Sequence, residues 1–422
     1  MKKVGVAILG LGVVGTGTYR ILTEKKQYFR DTQGLDVTVE AVLEPRRAHA
    51  LEVGVPEEVI CSNISEVVGN PAVDIVVECI GGVEPGLSFL ITALKSGKTC
   101  VTSNKELFSK NWQTLEAQAK KTGAGVYFEA TSMGGVPVVR VLTDGMQANC
   151  VQKICGIING TTNFILTKMD EGMTFDAALA EAKALGYAEA NPSMDVDGFD
   201  SMYKLSILAG LAFHQRIGLD QIERKGITEI KKEDVDFAKE LGYTVKLLAV
   251  AKRTEGGIEA RVQPALVPLS HPLANVKDCF NGILIIGDSV GAITLTGRGA
   301  GAGPTGSAIV SDVIYAAKRL DRTDAGLSSD AKISAEVTSG HYLHFTASGA
   351  EMVGKVASRL SKCGVSVEKV LKKDADGKTH ILVVTAEGEE SSVKKAVEKL
   401  KEYDVELSAA YRIEDLSEHF RA

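Results

Sequence analysis

Residues 8–17 read ILGLGVVGTG. The stretch follows an apolar run, Val4 to Leu9, and leads into a helical pattern from about Val14 to Lys25. Glycines at this spacing allow a tight turn and let backbone N–H groups approach a pyrophosphate at the helix N-terminus. A purely structural glycine-rich turn carries the same letters. The position between a first strand and a first helix favours a dinucleotide, and Gly10, Leu11, Gly12, Val13, Val14 and Gly15 are the candidate cofactor residues.

Outward from this turn, strand and helix patterns alternate. Val37 to Leu43, Asp74 to Ile80 and Thr99 to Thr102 read as further strands, each followed by a helical stretch. Such alternation predicts a parallel sheet covered on both faces, a Rossmann-type domain over residues 1–135. After GGVPVVRVL (134–142) the pattern changes. Strands at Val151 to Ile158, Ala260 to Pro268 and Gly282 to Gly287, with helices near 161–170, 174–185, 200–212 and 233–240, predict an α+β domain over 136–304, an antiparallel sheet with helices on one face. A helix at about 305–320 is expected to return to the first domain. Residues 321–339 are small and polar and read as a linker. From 340 to 422 the order strand, helix, strand, strand, helix, strand predicts a ferredoxin-like unit.

The bulk numbers exclude some function classes. The 422 residues are 45% hydrophobic and 24% charged, with a net charge of −6, so neither nucleic acid nor an anionic membrane is an expected partner. No apolar run is long enough to span a bilayer. The seven cysteines are scattered with no CxxC pair, and Met1-Lys2-Lys3 leads straight into a strand. A cytoplasmic protein with reduced thiols is expected.

In open parallel sheets ligands gather at the carboxyl ends of strands. The second strand ends at Leu43-Glu44-Pro45-Arg46-Arg47. Glu44 suits the ribose hydroxyls of NAD; Arg46 and Arg47 suit the 2′-phosphate of NADP, unless they are ordinary surface charges. NADP is the expectation, with NAD possible. Gly81 and Gly82 let backbone approach a ligand, and Lys105, after Thr102-Ser103-Asn104, is expected over the nicotinamide end. A lysine at a helix N-terminus is disfavoured by the dipole, which argues for a function. Glu129 precedes Gly134-Gly135 in EATSMGGVPVVR (129–140), a bent loop that is either a plain turn or a holder for a monovalent cation.

The segment GYAEANPSMDVDGFD (186–200) supplies Glu189, Asp195, Asp197 and Asp200. No histidine is close and the spacing fits no calcium loop, so an ammonium-bearing small molecule is the simpler ligand. One turn after Asp200 comes Lys204. With Ile207, Leu208 and Leu211 it falls on one stripe of a predicted helix. An exposed i,i+4 ion pair is the plain alternative. A desolvated lysine held by a carboxylate suits proton transfer, here to the oxygen of a carbonyl being reduced.

Taken together, ILGLGVVGTG, IGGVEP, VTSNKELF, EATSMGGVPVV, GIINGTTNFIL, LGYAEANPSMDVDGFDSMYKLSILA and GRGAGAGPTGSAIVSD resemble the motifs of the homoserine dehydrogenase family, in that family's order. The segment after Gly340 resembles an ACT domain. The resemblance implies reversible NAD(P)H-dependent reduction of L-aspartate 4-semialdehyde to L-homoserine, on the route to threonine and methionine. It implies Lys204 as proton donor and acceptor, Lys105 beside nicotinamide and substrate, and Glu189, Asp195 and Asp200 at the substrate. It also implies Thr102, Ser103 and Gly303 at the cofactor, and Na+ or K+ held by the loop containing Glu129, Ser132, Gly134 and Val136. A homodimer or homotetramer is expected, with an amino-acid effector as a possible further ligand of the ACT domain. Relatives often carry D-x-P-G where this chain has Ser348-Gly349-Ala350-Glu351, so weak or absent threonine inhibition is expected. Two competing classes are an aspartate-semialdehyde-type dehydrogenase, which needs a cysteine thiolate, and a catalytically silent ACT amino-acid sensor.

Overall fold

The computed structural model describes residues 1–320, 329–375 and 377–415. The chain forms two compact units, Met1–Cys150 with Met202–Asp220 and Leu295–Asp330, and Val151–Ser201 with Gln221–Thr294 and Ala331–Ala422.

The first unit holds a parallel sheet of β1 (Lys2–Leu9), β2 (Leu35–Leu43), β3 (Ile60–Cys61), β4 (Ile75–Glu78), β5 (Thr99–Thr102) and β6 (Val126–Tyr127), in the order β3-β2-β1-β4-β5-β6. The strands β1 and β4 hold short apolar runs, Val4 to Leu9 and Ile75 to Val77, as a sheet covered on both faces requires. Val6, Ile8, Val37, Val42, Ile75, Val77 and Val101 share one core. The strand order reverses between β1 and β4, the switch point where open α/β sheets bind ligands. Register aligns Leu43, Leu9, Glu78 and Thr102 across four neighbouring strands. The loops that follow these residues therefore leave the sheet side by side.

The helix Ala302–Ala317 packs against the helix Val13–Glu24 in this unit. Small residues permit it: a Cβ on Gly17 would collide with the Ala302 carbonyl, and one on Gly306 would press on Gly17. Residues 321–328 of the expected linker lie outside the described residues. The rest of it, 329–339, is not a plain linker. Ser329–Asp330 pairs with Gln215–Arg216, and Ile333 bridges Ile258. Backbone groups that meet neighbouring strands are satisfied there rather than by water.

In the second unit one mixed sheet runs in the order Phe280–Gly287, Val151–Ile157, Tyr243–Thr254, Gly257–Pro268, Val405–Ile413, Thr338–Ala347, Lys378–Thr385, Val367–Ala375. Two features of this sheet go beyond the sequence reading. The strand Tyr243–Thr254 was not anticipated, yet it is paired on both sides. Its VKLLAVA run is equally compatible with a helix by composition, and only pairing decides. The last four strands have the ferredoxin-like order 4-1-3-2 with the helices Met352–Lys362 and Glu390–Leu400. They do not form a separate sheet: Ala265 and Leu266 pair in parallel with Arg412 and Ile413. Joining the two sheets removes two edges that would otherwise be open. Among the described residues no helix is long and apolar enough to cross a membrane.

Candidate active site

The glycines of the first turn have separate tasks. Gly10 has φ of +89°, a left-handed conformation that favours glycine. A side chain on Gly15 would strike the Gly10 carbonyl, whereas one on Gly12 would meet nothing within 4 Å. Gly12 caps the twelve-residue helix Val13–Glu24, so open space lies against a helix N-terminus. Leu11 is fully buried, and its carbonyl lies 2.9 Å from His49 Nε2.

Glu44 is buried behind this loop and accepts the Leu11 N–H at 2.8 Å, together with the Arg46 N–H at 3.1 Å and Arg46 Nε at 2.8 Å. Burial raises its pKa, but the Arg46 guanidinium and the two backbone N–H groups outweigh burial and bring it down to about 2. Arg46 and Arg47 have separate partners. Arg46 is neutralised by Glu44, while Arg47 bonds Glu57 at 2.8 Å.

At the ends of β4 and β5 two residues not singled out in the sequence organise the site. Glu78 is fully buried; its carboxylate accepts from Thr102 Oγ1 at 2.5 Å and from the Ile80 N–H at 2.6 Å. Burial drives its pKa up to about 7 against these bonds. Asn104 caps the helix Lys105–Thr122 through the Leu107 N–H, and its amide donates to the carbonyls of Ile80 and Gly82. One asparagine thus ties the Gly81-Gly82 loop to the start of the Lys105 helix. Thr102 is buried, its hydroxyl donating to Glu78 and accepting the Asn104 N–H. Its side chain is committed inward. Lys105, Ser103, Gly81 and Gly303 have accessible surface, and a Cβ on Gly81 or Gly303 would meet nothing within 4 Å.

The loop from Glu129 is buried and strained. Met133 and Gly134 have φ of +57° and +51°. A side chain on Gly134 would collide with the Gly299 carbonyl. The Glu129 carboxylate accepts the N–H groups of Val139 and Arg140 at 2.9 and 2.8 Å, and the Glu129 N–H bonds Asp312. Asp312 meets Arg140 at 2.5 Å. Burial first, then mutual repulsion, raises Glu129 to about 7, and burial raises Asp312 to about 6. Two buried carboxylates answered by one guanidinium leave room for a further positive charge. The Val136 carbonyl also accepts the Val138 N–H at 2.8 Å, so it is not reserved for an ion.

The helix Phe199–Phe213 is buried from Asp200 to Phe213, not on one stripe, and Asp200 and Lys204 are 5% and 8% exposed. The apolar stripe was therefore an incomplete guide: a helix enclosed on all sides has no solvent face for an ordinary ion pair. Asn159 gathers the acids of the second unit. Its Oδ1 caps the helix Gly160–Asp170 through the Thr162 N–H. Its amide nitrogen donates to Asp195 at 2.7 Å and Asp200 at 2.8 Å. The sequence showed Asn159 only as a cap. Glu189 is exposed in the loop before the helix Ser193–Val196, and no hydrogen bond joins it to that pair among the described residues. Thr161 Oγ1 holds this loop through the Tyr187 carbonyl at 2.6 Å.

Among the described residues no cysteine forms a disulfide. Burial raises the thiol pKa values of Cys61, Cys79, Cys100 and Cys155, the last to about 12. None of these four is an activated thiolate.

Comparison with known proteins converges on one family. Residues 10–129 match the model described as "Homoserine dehydrogenase, NAD binding domain", and residues 137–314 match "Homoserine dehydrogenase". The homoserine dehydrogenase of Bacillus subtilis is 37% identical over 98% of this chain and 99% of its own length. That of Pseudomonas aeruginosa is 36% identical over 95% and 96%. The crystal structure of a homoserine dehydrogenase from Thiobacillus denitrificans superposes with a TM-score of 0.90 at 34% identity, covering 99% of both chains. A hyperthermophilic archaeal homoserine dehydrogenase in complex with NADPH has a TM-score of 0.66 at 28% identity, covering 77% of this chain and all of that one.

Proposed function

We infer the roles of individual residues from the premise that this chain belongs to the homoserine dehydrogenase family. It is an NAD(P)-dependent oxidoreductase that interconverts L-aspartate 4-semialdehyde and L-homoserine. In this reading Lys204 is the proton donor to the aldehyde oxygen and the acceptor in reverse. Its burial one turn after Asp200 is the observation that carries the assignment.

When bound, the reduced nicotinamide supplies the hydride. The protein's task is to stabilise the developing alkoxide and deliver one proton to it. The Lys204 ammonium does both, with Asp200 positioning it. Asp195 and Asp200, drawn together by Asn159, answer the substrate ammonium, with Glu189 closing on it from the neighbouring loop. Lys105 orients the substrate beside the nicotinamide, and Asn104 fixes where its helix begins.

The cofactor preference is for NADP. Arg46, held by Glu44 but with an exposed side chain, takes the 2′-phosphate; Arg47 plays no part. A monovalent cation belongs with the Glu129 loop, where Glu129 and the carbonyls of Ser132, Gly134 and Val136 supply hard oxygen donors. Its role is to neutralise the buried negative charge and stiffen the loop. The C-terminal unit is an ACT-type module that serves subunit contact and responds weakly to amino acids.

Lys204→Met tests the central assignment. Its kcat should fall by about a hundredfold to ten-thousandfold, the usual contribution of general acid–base catalysis. Nucleotide affinity and thermal stability should stay near wild type. A kcat within about tenfold of wild type would remove Lys204 from proton transfer.

A further inference from the structure

Glu233 and Asp234 lie in the first turn of the helix Lys232–Glu240. Asp234 is 1% exposed, and its Oδ2 meets no hydrogen-bond donor among the described residues. Its Oδ1 lies 2.7 Å from Nδ1 of His344, which is fully buried on the strand Thr338–Ala347. The other nitrogen of His344, Nε2, lies 2.9 Å from Nδ1 of His380 on the adjacent strand. The Phe237 ring meets both imidazoles edge-on, so the cluster has an apolar cover.

Proton counting leaves this arrangement incomplete. If His344 Nε2–H donates to His380, a neutral His344 turns the lone pair of Nδ1 toward a carboxylate. If His380 donates instead, His344 can donate to Asp234. His380 Nε2, as donor or as acceptor, and Asp234 Oδ2 are orphaned in both cases. Buried polar groups are seldom left this way. Ligand atoms of Glu233, Asp234 and His344 all lie within 4.8 Å of one another, close enough for one ion to meet all three.

We propose that Glu233, Asp234 and His344 form a site for a divalent first-row transition ion, with zinc as the natural probe. One imidazole and two carboxylates suit such an ion better than magnesium or calcium, which take oxygen alone. His380 accepts the other His344 N–H and orients the ring, a common arrangement behind a metal-bound histidine. Glu233 is only partly buried and offers the way in. The ion ties the helix Lys232–Glu240 to the ferredoxin-like strands, so its binding raises the unfolding temperature.

The test uses the full-length enzyme, stripped with chelator and titrated calorimetrically with zinc and, by absorbance, with cobalt. One equivalent per chain is expected. Asp234→Asn and His344→Gln should abolish this uptake and its thermal stabilisation, and His380→Gln should weaken it by about tenfold to a hundredfold. X-ray absorption of the cobalt-loaded wild type, which needs no variant, should show one imidazole nitrogen among oxygen donors. No saturable uptake, a nitrogen-free coordination shell, or unchanged uptake by folded Asp234→Asn and His344→Gln would each overturn the proposal.

Discussion

The turn at Gly10–Gly15 and the turn at Ser348–Glu351 are built on one plan with opposite results. Each leads from a buried strand into a helix. Each has a glutamate beside it. In the first, Glu44 sits behind the loop, where Leu11 and Arg46 absorb its charge, and Gly12 leaves the helix N-terminus open. In the second, Glu351 occupies the N-cap itself, and its carboxylate lies over Gly349 where a Cβ would go. Ser348 is bonded to Asp404, which adds another carboxylate. A helix N-terminus attracts anions only when nothing anionic already covers it.

The largest change should come from closing the open turn. Gly15→Ala forces a Cβ into the Gly10 carbonyl, so it should abolish nucleotide binding, measured by fluorescence titration, and cost about 1–3 kcal/mol of stability. Retention of wild-type nucleotide affinity would show that the loop adapts and that the third glycine is dispensable.

Opening the closed turn is the converse. Glu351→Gly removes a charge facing an incoming carboxylate, a repulsion of about 1 to 4 kcal/mol at intermediate dielectric. Inhibition by threonine should strengthen by about tenfold to a thousandfold. Inhibition by submillimolar threonine in the unaltered enzyme would show that Glu351 does not close the turn.

Arg46→Ala should raise KM for NADPH by about tenfold, the loss of one charge-assisted contact, and raise KM for NADH far less. Arg47→Ala should change neither. Equal effects of Arg46→Ala on both cofactors would reduce Arg46 to a neutraliser of Glu44.

A further effect concerns pH. Glu78 has a folded pKa of about 7 against an ordinary 4.5. Between these values the folded chain keeps a proton that the unfolded chain has lost. The stabilisation is complete below the unfolded value and is lost as pH rises through about 7. The slope approaches about 1.4 kcal/mol per pH unit. Glu78→Gln should flatten unfolding free energy measured from pH 5 to 8. An unchanged slope would mean that Glu78 is ionised throughout.

The sequence by itself determined the parts whose signal is local. Gly10, Gly12 and Gly15 stand at fixed spacing because a tight turn, an open approach and a helix contact each exclude a side chain. Asp200 and Lys204 are legible because they sit one helical turn apart among apolar residues. Only the tertiary structure decided who shares which hydrogen bonds. The Thr102 hydroxyl belongs to Glu78, which β4 brings alongside. Arg46 and Arg47 are neighbours in the chain with separate partners. Asn159 and Asn104 organise the acids and the loops through groups 22 to 41 residues away. The strand Tyr243–Thr254 and the fusion of the ferredoxin-like strands to the catalytic sheet were likewise hidden. Periodicity reports which face of an element is buried, but hydrogen-bond partners and strand neighbours are chosen by distant residues that no local window contains.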